Sequence, residues 1–129
     1  MLQRVGVGLG RVQVLTTVGR RTGQFRKVPV GVVSIEGERY IFQAYPDAAW
    51  VANARTTATA TLAHGRRSSA VRLVELPVEQ RRPLLRKHLM GSPPHVGRLL
   101  VTTGLVDAPD PDTIAAAAGR IAVFRIETA

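Results

Sequence analysis

The chain has 129 residues, enough for one domain (1–129) with a core of its own. With no cysteine it has no disulfide framework, thiolate metal site or thiol nucleophile, and no apolar run reaches the roughly 18 residues of a membrane span. Its 18 basic residues, sixteen of them arginine, stand against 9 acidic ones, and the net charge of +9 draws anions.

Part of that bias is genomic, since arginine codons are GC-rich. What remains fits three partners: nucleic acid, an anionic membrane surface, or a phosphorylated or polyglutamylated small molecule. Met1 to Arg11 lacks the long apolar core of a signal peptide. The cytoplasm is therefore the expected compartment, and the basic surface leaves peripheral membrane contact open.

In chain order, Leu2 to Gly10 is rich in glycine and reads as a short lead-in. Val12 to Val18 follows as a strand rich in β-branched residues, and a second strand runs from Lys27 to Ile35. Between them lies a cationic turn with Arg20, Arg21, Thr22, Gly23, Gln24 and Arg26. Such a turn gathers fixed positive charge and free backbone N–H groups at the mouth of a sheet, which suits a phosphate or carboxylate. On spacing alone a plainer reading stands equal to it, with glycines serving the turn and arginines solvated at its tip. Gly37 marks the next turn, and Tyr40 to Tyr45 makes a third strand, completing an antiparallel meander.

Asp47, after Pro46, is placed to cap a short helix over Ala48 to Arg55, whose first N–H groups offer a second place for an anion. Strands follow over Ala58 to Ala63 and Ser68 to Leu76, joined at His64-Gly-Arg-Arg67. Pro77 opens a helix over Val78 to Met90 with Leu84, Leu85, His88 and Leu89 on one face. Val96 to Val106 suits strand and helix equally. Asp112 is placed to cap a helix over Thr113 to Ala118, and Ile121 to Ile126 alternates as a closing strand. The expected fold is mainly β (α+β), an antiparallel barrel of about six strands with two or three short helices, since closure removes exposed edges.

The side chains of acid–base chemistry are sparse. His64, His88 and His95 share no metal-ligand spacing, so no metal is expected, and each reads as a surface or packed histidine. Ser68 and Ser69 lack the GxSxG setting of a hydrolase. A small barrel of this kind suits a scaffold in which a bound cofactor does the chemistry, or one that binds and does none.

Two blocks resemble the deazaflavin-dependent nitroreductase family. The first is Leu15-Thr-Thr-Val-Gly-Arg-Arg-Thr-Gly-Gln-Phe-Arg26 with Val28-Pro29-Val30; the second is Tyr40 to Arg55, with its Trp50-x-x-Asn53. The resemblance spans Val14 to Met90 and implies a split β-barrel binding the deazaflavin coenzyme F-420, a hydride carrier with an acidic tail. It implies that Arg20, Arg21, Thr22, Gln24 and Arg26 hold the phosphate and tail. Val28, Pro29 and Val30 would lie against the ring, Ala44, Tyr45 and Pro46 would face it, and Trp50 and Asn53 would close over it.

Val28 stands where many members have Asn, and the loop from Tyr45 to Trp50 lacks a Gly-Gly-Lys segment. Tyr40 and Tyr45 are the only tyrosines, so the family's C-terminal tyrosines have no counterpart and the catalytic proton donor stays unassigned. The implied partner is a small-molecule electron acceptor, namely a quinone, enone or nitroaromatic, its pocket lined from Val96 to Val106. Flavin mononucleotide or haem in a related barrel is the alternative, as is a member that only stores cofactor. A single-stranded nucleic-acid binder would interleave stacking aromatics with the basic groove, and aromatics make up only 5% of this chain, so no nucleic acid is expected. Monomer and homodimer both remain open.

Overall fold

The computed structural model describes residues 11–129; the glycine-rich lead-in read over Leu2 to Gly10 lies outside them. Runs of β-branched residues interrupted by glycine turns produce six strands: β1 (Arg11–Val18), β2 (Phe25–Ile35), β3 (Glu38–Phe42), β4 (Thr59–His64), β5 (Arg67–Glu75) and β6 (Val123–Thr128). They close into a barrel in the order β1-β2-β3-β6-β5-β4, every neighbouring pair antiparallel. Glycines at positive φ make the turns, Gly37 (84°) between β2 and β3 and Gly65 (60°) between β4 and β5. Alternation along the strands sends Leu15, Ile41, Leu62, Leu73 and Phe124 into the barrel, where they pack with Trp50 and Val51.

Among the described residues four helices accompany the barrel, where two or three were expected: α1 (Ala49–Thr56), α2 (Val78–Met90), α3 (Pro94–Thr102) and α4 (Pro111–Ala116). The added one is α3, from the stretch that suited strand and helix equally. Pro94 at its start and buried Val96, Gly97 and Leu100 give it a helical face. A second apolar cluster joins Leu85, Leu89, Val96, Leu100, Ile114 and Ile121 to the barrel residues Tyr40 and Val123.

Three local expectations are corrected. Strand β3 ends at Phe42 rather than Tyr45, because the Gln43 side chain takes over the ladder. Gln43 Oε1 accepts from the Ala122 N–H at 2.9 Å, while Nε2 donates to the Tyr45 carbonyl at 2.9 Å and turns the chain toward Pro46. Asp47 does not cap α1: at φ 55° it is a left-handed turn residue, and Ala48 holds the cap position without a side-chain bond. Asp112 does not cap α4, because Pro111 already occupies the first turn. Asp110 caps it instead, accepting from the Thr113 N–H at 2.9 Å.

Gly97 marks the tightest approach of α3 to the loop before α4. A Cβ there would run into the Pro109 carbonyl oxygen and lie 3.1 Å from Pro109 Cβ. Gly97→Ala is therefore expected to destabilise the fold by about 1–3 kcal/mol through overpacking, read as a lower urea midpoint with unchanged m-value.

Candidate functional site

The β1–β2 hairpin is closed across its base. Gly19 N–H donates to the Gln24 carbonyl at 2.7 Å, and Gly23, at φ 74°, donates back to the Gly19 carbonyl at 2.8 Å. A Cβ at Gly19 would sit 2.9 Å from that Gln24 oxygen, so the turn requires glycine there. The loop holds Arg20 and Arg21, and the start of β2 holds Arg26, exposed at the barrel mouth.

Helix α1 locks onto this hairpin through one buried amide. Asn53 Oδ1 accepts from the Arg20 backbone N–H at 3.1 Å and from its guanidinium at 2.9 Å, while Asn53 Nδ2 donates to Thr17 Oγ1 at 3.2 Å. Asn53 is 2% exposed and Thr17 1%, so the bond between them forms out of water, where leaving it unmade costs most. The Trp50 ring, one turn before, packs against Phe124 with centroids 5.3 Å apart.

Beside the hairpin opens a cavity of about 910 Å³. Of the residues singled out from sequence, Arg20, Arg21, Thr22, Arg26, Val28, Pro29, Val30, Ala44, Tyr45, Trp50 and Asn53 all line it. Gln24 does not; its backbone closes the hairpin instead. Pro46 lines a separate groove of about 480 Å³ alongside Asp47 and Arg120.

The charge of the cavity is one-sided. Arg20, Arg21, Arg26 and Lys27 reach it, and no carboxylate is among the described lining residues. The ion pairs among the described residues lie elsewhere, joining Arg55 and Arg81 to Glu75, Arg72 and Arg125 to Glu127, Arg86 to Asp112 and Lys87 to Glu36. The hairpin cations are thus left without an anionic partner in that set. Away from them the walls are Val28, Pro29, Val30, Trp50 and a helical side built from Leu85, His88, Leu89, Val96, Leu99 and Leu100. The cavity thus joins a cationic end to an apolar body. Among the described residues no group of His, Asp and Glu is placed to hold a metal, and no helix is long and apolar enough to cross a membrane.

Sequence reasoning missed Lys27, Gln43 and most of the helical wall. The α2 contribution was signalled by its apolar stripe, and Val96, Leu99 and Leu100 fall in the stretch from which pocket lining was expected. His88 packs edge-on against Phe42 with centroids 4.8 Å apart, and burial pushes its imidazole down to about 4. That value lies below the ordinary 6.5, so above pH 6.5 both folded and unfolded chains carry it neutral. As pH falls from 6.5 toward 4 the unfolded chain takes up a proton that the folded one refuses, and stability drops. Urea unfolding is expected to show a loss of about 2 kcal/mol between pH 7 and pH 5 from this group. His88→Leu should remove that part of the slope.

A family model described as F420H(2)-dependent quinone reductase matches residues 3–103. The fold is similar to that of an FAD-binding protein from Mesorhizobium loti, with TM-score 0.54 and 19% identity over 98% of this chain and 86% of that one. A NimC/NimA family protein from Clostridium acetobutylicum is comparable, with TM-score 0.54 and 16% identity over 98% and 85% of the two chains. No curated protein matches the chain. The architecture is the split β-barrel.

Proposed function

Because the chain belongs to the F420H(2)-dependent quinone reductase family, it is an oxidoreductase whose cofactor is coenzyme F-420, and we propose that its acceptor is a quinone, with activated enones and nitroaromatics as lesser substrates. The observation that carries this reading is the cavity with unpaired arginines at one end and apolar walls beyond. A ring system with a phosphorylated, acidic tail matches both parts. In this proposal Arg20, Arg21, Thr22, Gln24 and Arg26 hold the phosphate and tail, Gln24 through the hairpin conformation it maintains. Val28, Pro29 and Val30 lie against the ring, Ala44 and Tyr45 border it while Pro46 falls outside in the neighbouring groove, and Trp50 and Asn53 close over it.

When bound, the coenzyme supplies a hydride, and the protein supplies grip and orientation. The arginines bind an unreacting tail equally in ground and transition states, so they serve affinity more than rate. Asn53 keeps Arg20 turned toward the cavity and fixes α1 over the hairpin. Trp50, 8% exposed, supplies a rigid apolar wall that excludes water. Among the described lining residues there is no carboxylate, and His88 is neutral at pH 7, which supports solvent as the source of the proton that accompanies the hydride. Phe25 and Tyr45 are 75% and 59% exposed and lie in or next to the cationic rim, which supports a cytoplasmic protein that touches an anionic membrane surface where quinones reside.

The test is titration of the purified protein with coenzyme F-420, followed by quenching of the coenzyme's fluorescence, with flavin mononucleotide run in parallel. Saturable low-micromolar binding of the deazaflavin alone is expected. If only the flavin binds, the proposed occupant of the cavity is wrong.

A further inference from the structure

The helical wall of the cavity is apolar except at one point. Leu85, Leu89, Val96, Leu99 and Leu100 give it a hydrocarbon surface, and His88 is the one polar side chain that α2 and α3 bring to it. Its ring is held on two sides. Phe42 meets it at an interplanar angle of 75°, and Ser92 Oγ lies 3.3 Å from Nδ1.

The serine decides which nitrogen carries the proton. A hydroxyl has one hydrogen to give, and at 2.6 Å from the His88 carbonyl oxygen Ser92 gives it there. The contact at Nδ1 is then a hydrogen bond only if Nδ1–H is the donor. That tautomer leaves Nε2 with a bare lone pair, and no described protein group donates to it. Burial keeps the ring neutral down to about pH 4, so the lone pair persists at neutral pH.

Resting on the acceptor reading above, we propose that His88 is the contact that tells a reduced acceptor from an oxidised one: its Nε2 accepts a hydrogen bond from a ring hydroxyl, the group a quinone gains on reduction. A quinone that takes up one hydride from the reduced coenzyme and one proton from solvent ends with a hydroxyl in place of each reacting carbonyl oxygen. A carbonyl oxygen facing the Nε2 lone pair gains nothing, whereas the hydroxyl that replaces it does. The contact therefore favours the reduced acceptor over the oxidised one, and it acts on the product rather than on the transition state.

The experiment uses protein saturated with oxidised coenzyme F-420 and two stable aromatic probes, 1-naphthol and its methyl ether, whose binding is measured by calorimetry and by competitive inhibition of quinone reduction. Wild type is expected to prefer the naphthol by about fivefold to tenfold, the worth of one neutral hydrogen bond in a closed site. His88→Leu should erase the preference. His88→Gln, whose amide oxygen can accept, should keep part of it. Equal binding of both probes by wild type, or a preference that survives in His88→Leu, overturns the proposal. If the leucine variant does not fold, the wild-type comparison still decides. Coenzyme quenching measured on the same samples separates this failure from failure of the cofactor reading, because the coenzyme would then bind while the probes show no discrimination.

Discussion

Arg81→Met should lower the unfolding free energy by about 3 kcal/mol, the largest effect expected from a single substitution outside the barrel interior. Arg81 sits on α2 at 8% exposure, with its guanidinium spread over three acceptors. Nε donates to the Leu76 carbonyl at 2.7 Å, one terminal nitrogen to the Ala118 carbonyl at 3.0 Å, and the other to Glu75 at 2.9 Å. Methionine fills the volume and keeps the stem's packing, but it orphans the buried Leu76 carbonyl at about 1–3 kcal/mol and leaves the Ala118 carbonyl only a long bond of 3.4 Å from the Ile121 N–H. The Glu75 carboxylate fares better, because Arg55 still grips it with two bonds of 2.9 and 2.7 Å. Those same bonds from Arg55 hold the Glu75 carboxyl below its usual range, so it stays ionised in mildly acidic solution. Thermal unfolding followed by circular dichroism should place the variant's Tm about 10 °C lower. Arg81→Lys should recover little, since one ammonium cannot reach three acceptors in a plane. A methionine variant as stable as wild type would mean that water satisfies those carbonyls.

The second large effect concerns binding. Arg21→Ala and Arg26→Ala together are expected to weaken coenzyme F-420 binding by at least tenfold while leaving the melting temperature within about 1 °C. The argument rests on what these side chains do without ligand: both are exposed, and neither appears in an ion pair among the described residues. Removing them therefore takes nothing from the fold. Each charge-assisted contact to a phosphate or carboxylate contributes on the order of 1.5–3 kcal/mol before screening, so two lost contacts exceed a tenfold change even after solvent and salt weaken them. Arg20 behaves differently, because its guanidinium and backbone N–H both belong to Asn53. Arg20→Ala should cost stability as well as affinity. Unchanged affinity in the double variant would remove the hairpin from the site.

The strands were legible because a barrel wall imposes period-two alternation and favours β-branched residues, and because glycine favours the turn positions where φ is positive, as at Gly37 and Gly65. The cationic hairpin was legible for the same reason: chemistry and turn residues coincide in one short stretch. Helix α3 was not, since Val96 to Val106 is apolar enough for either period and only packing against the cluster of Leu85, Leu89 and Ile114 chooses the helix. Asp47 and Asp112 are good cap types one or two positions from the real caps, and propensity does not resolve so small a shift. Gln43 is the hardest to foresee. A glutamine that replaces a backbone acceptor in a ladder carries no local mark, because its partner at Ala122 lies far along the chain. His88 carried a weak mark as part of an apolar stripe, yet its tautomer depends on Ser92 one turn onward.

The position of β6 has a consequence for how the molecule assembles. Strands β1 to β3 pair with their immediate neighbours and need only short turns, as do β4 and β5. The seam between β3 and β6 is another matter, for Tyr40 and Arg125, which face each other across it, stand roughly 85 positions apart. Bringing such distant partners together is an entropic toll taken before any contact repays it, so the two local sheets form early and the seam sets the pace. Until β6 docks between them, β3 and β5 each present a bare flank of N–H and C=O groups on which another chain can settle. The folding intermediate, rather than the finished barrel, is where this protein is exposed to misassembly.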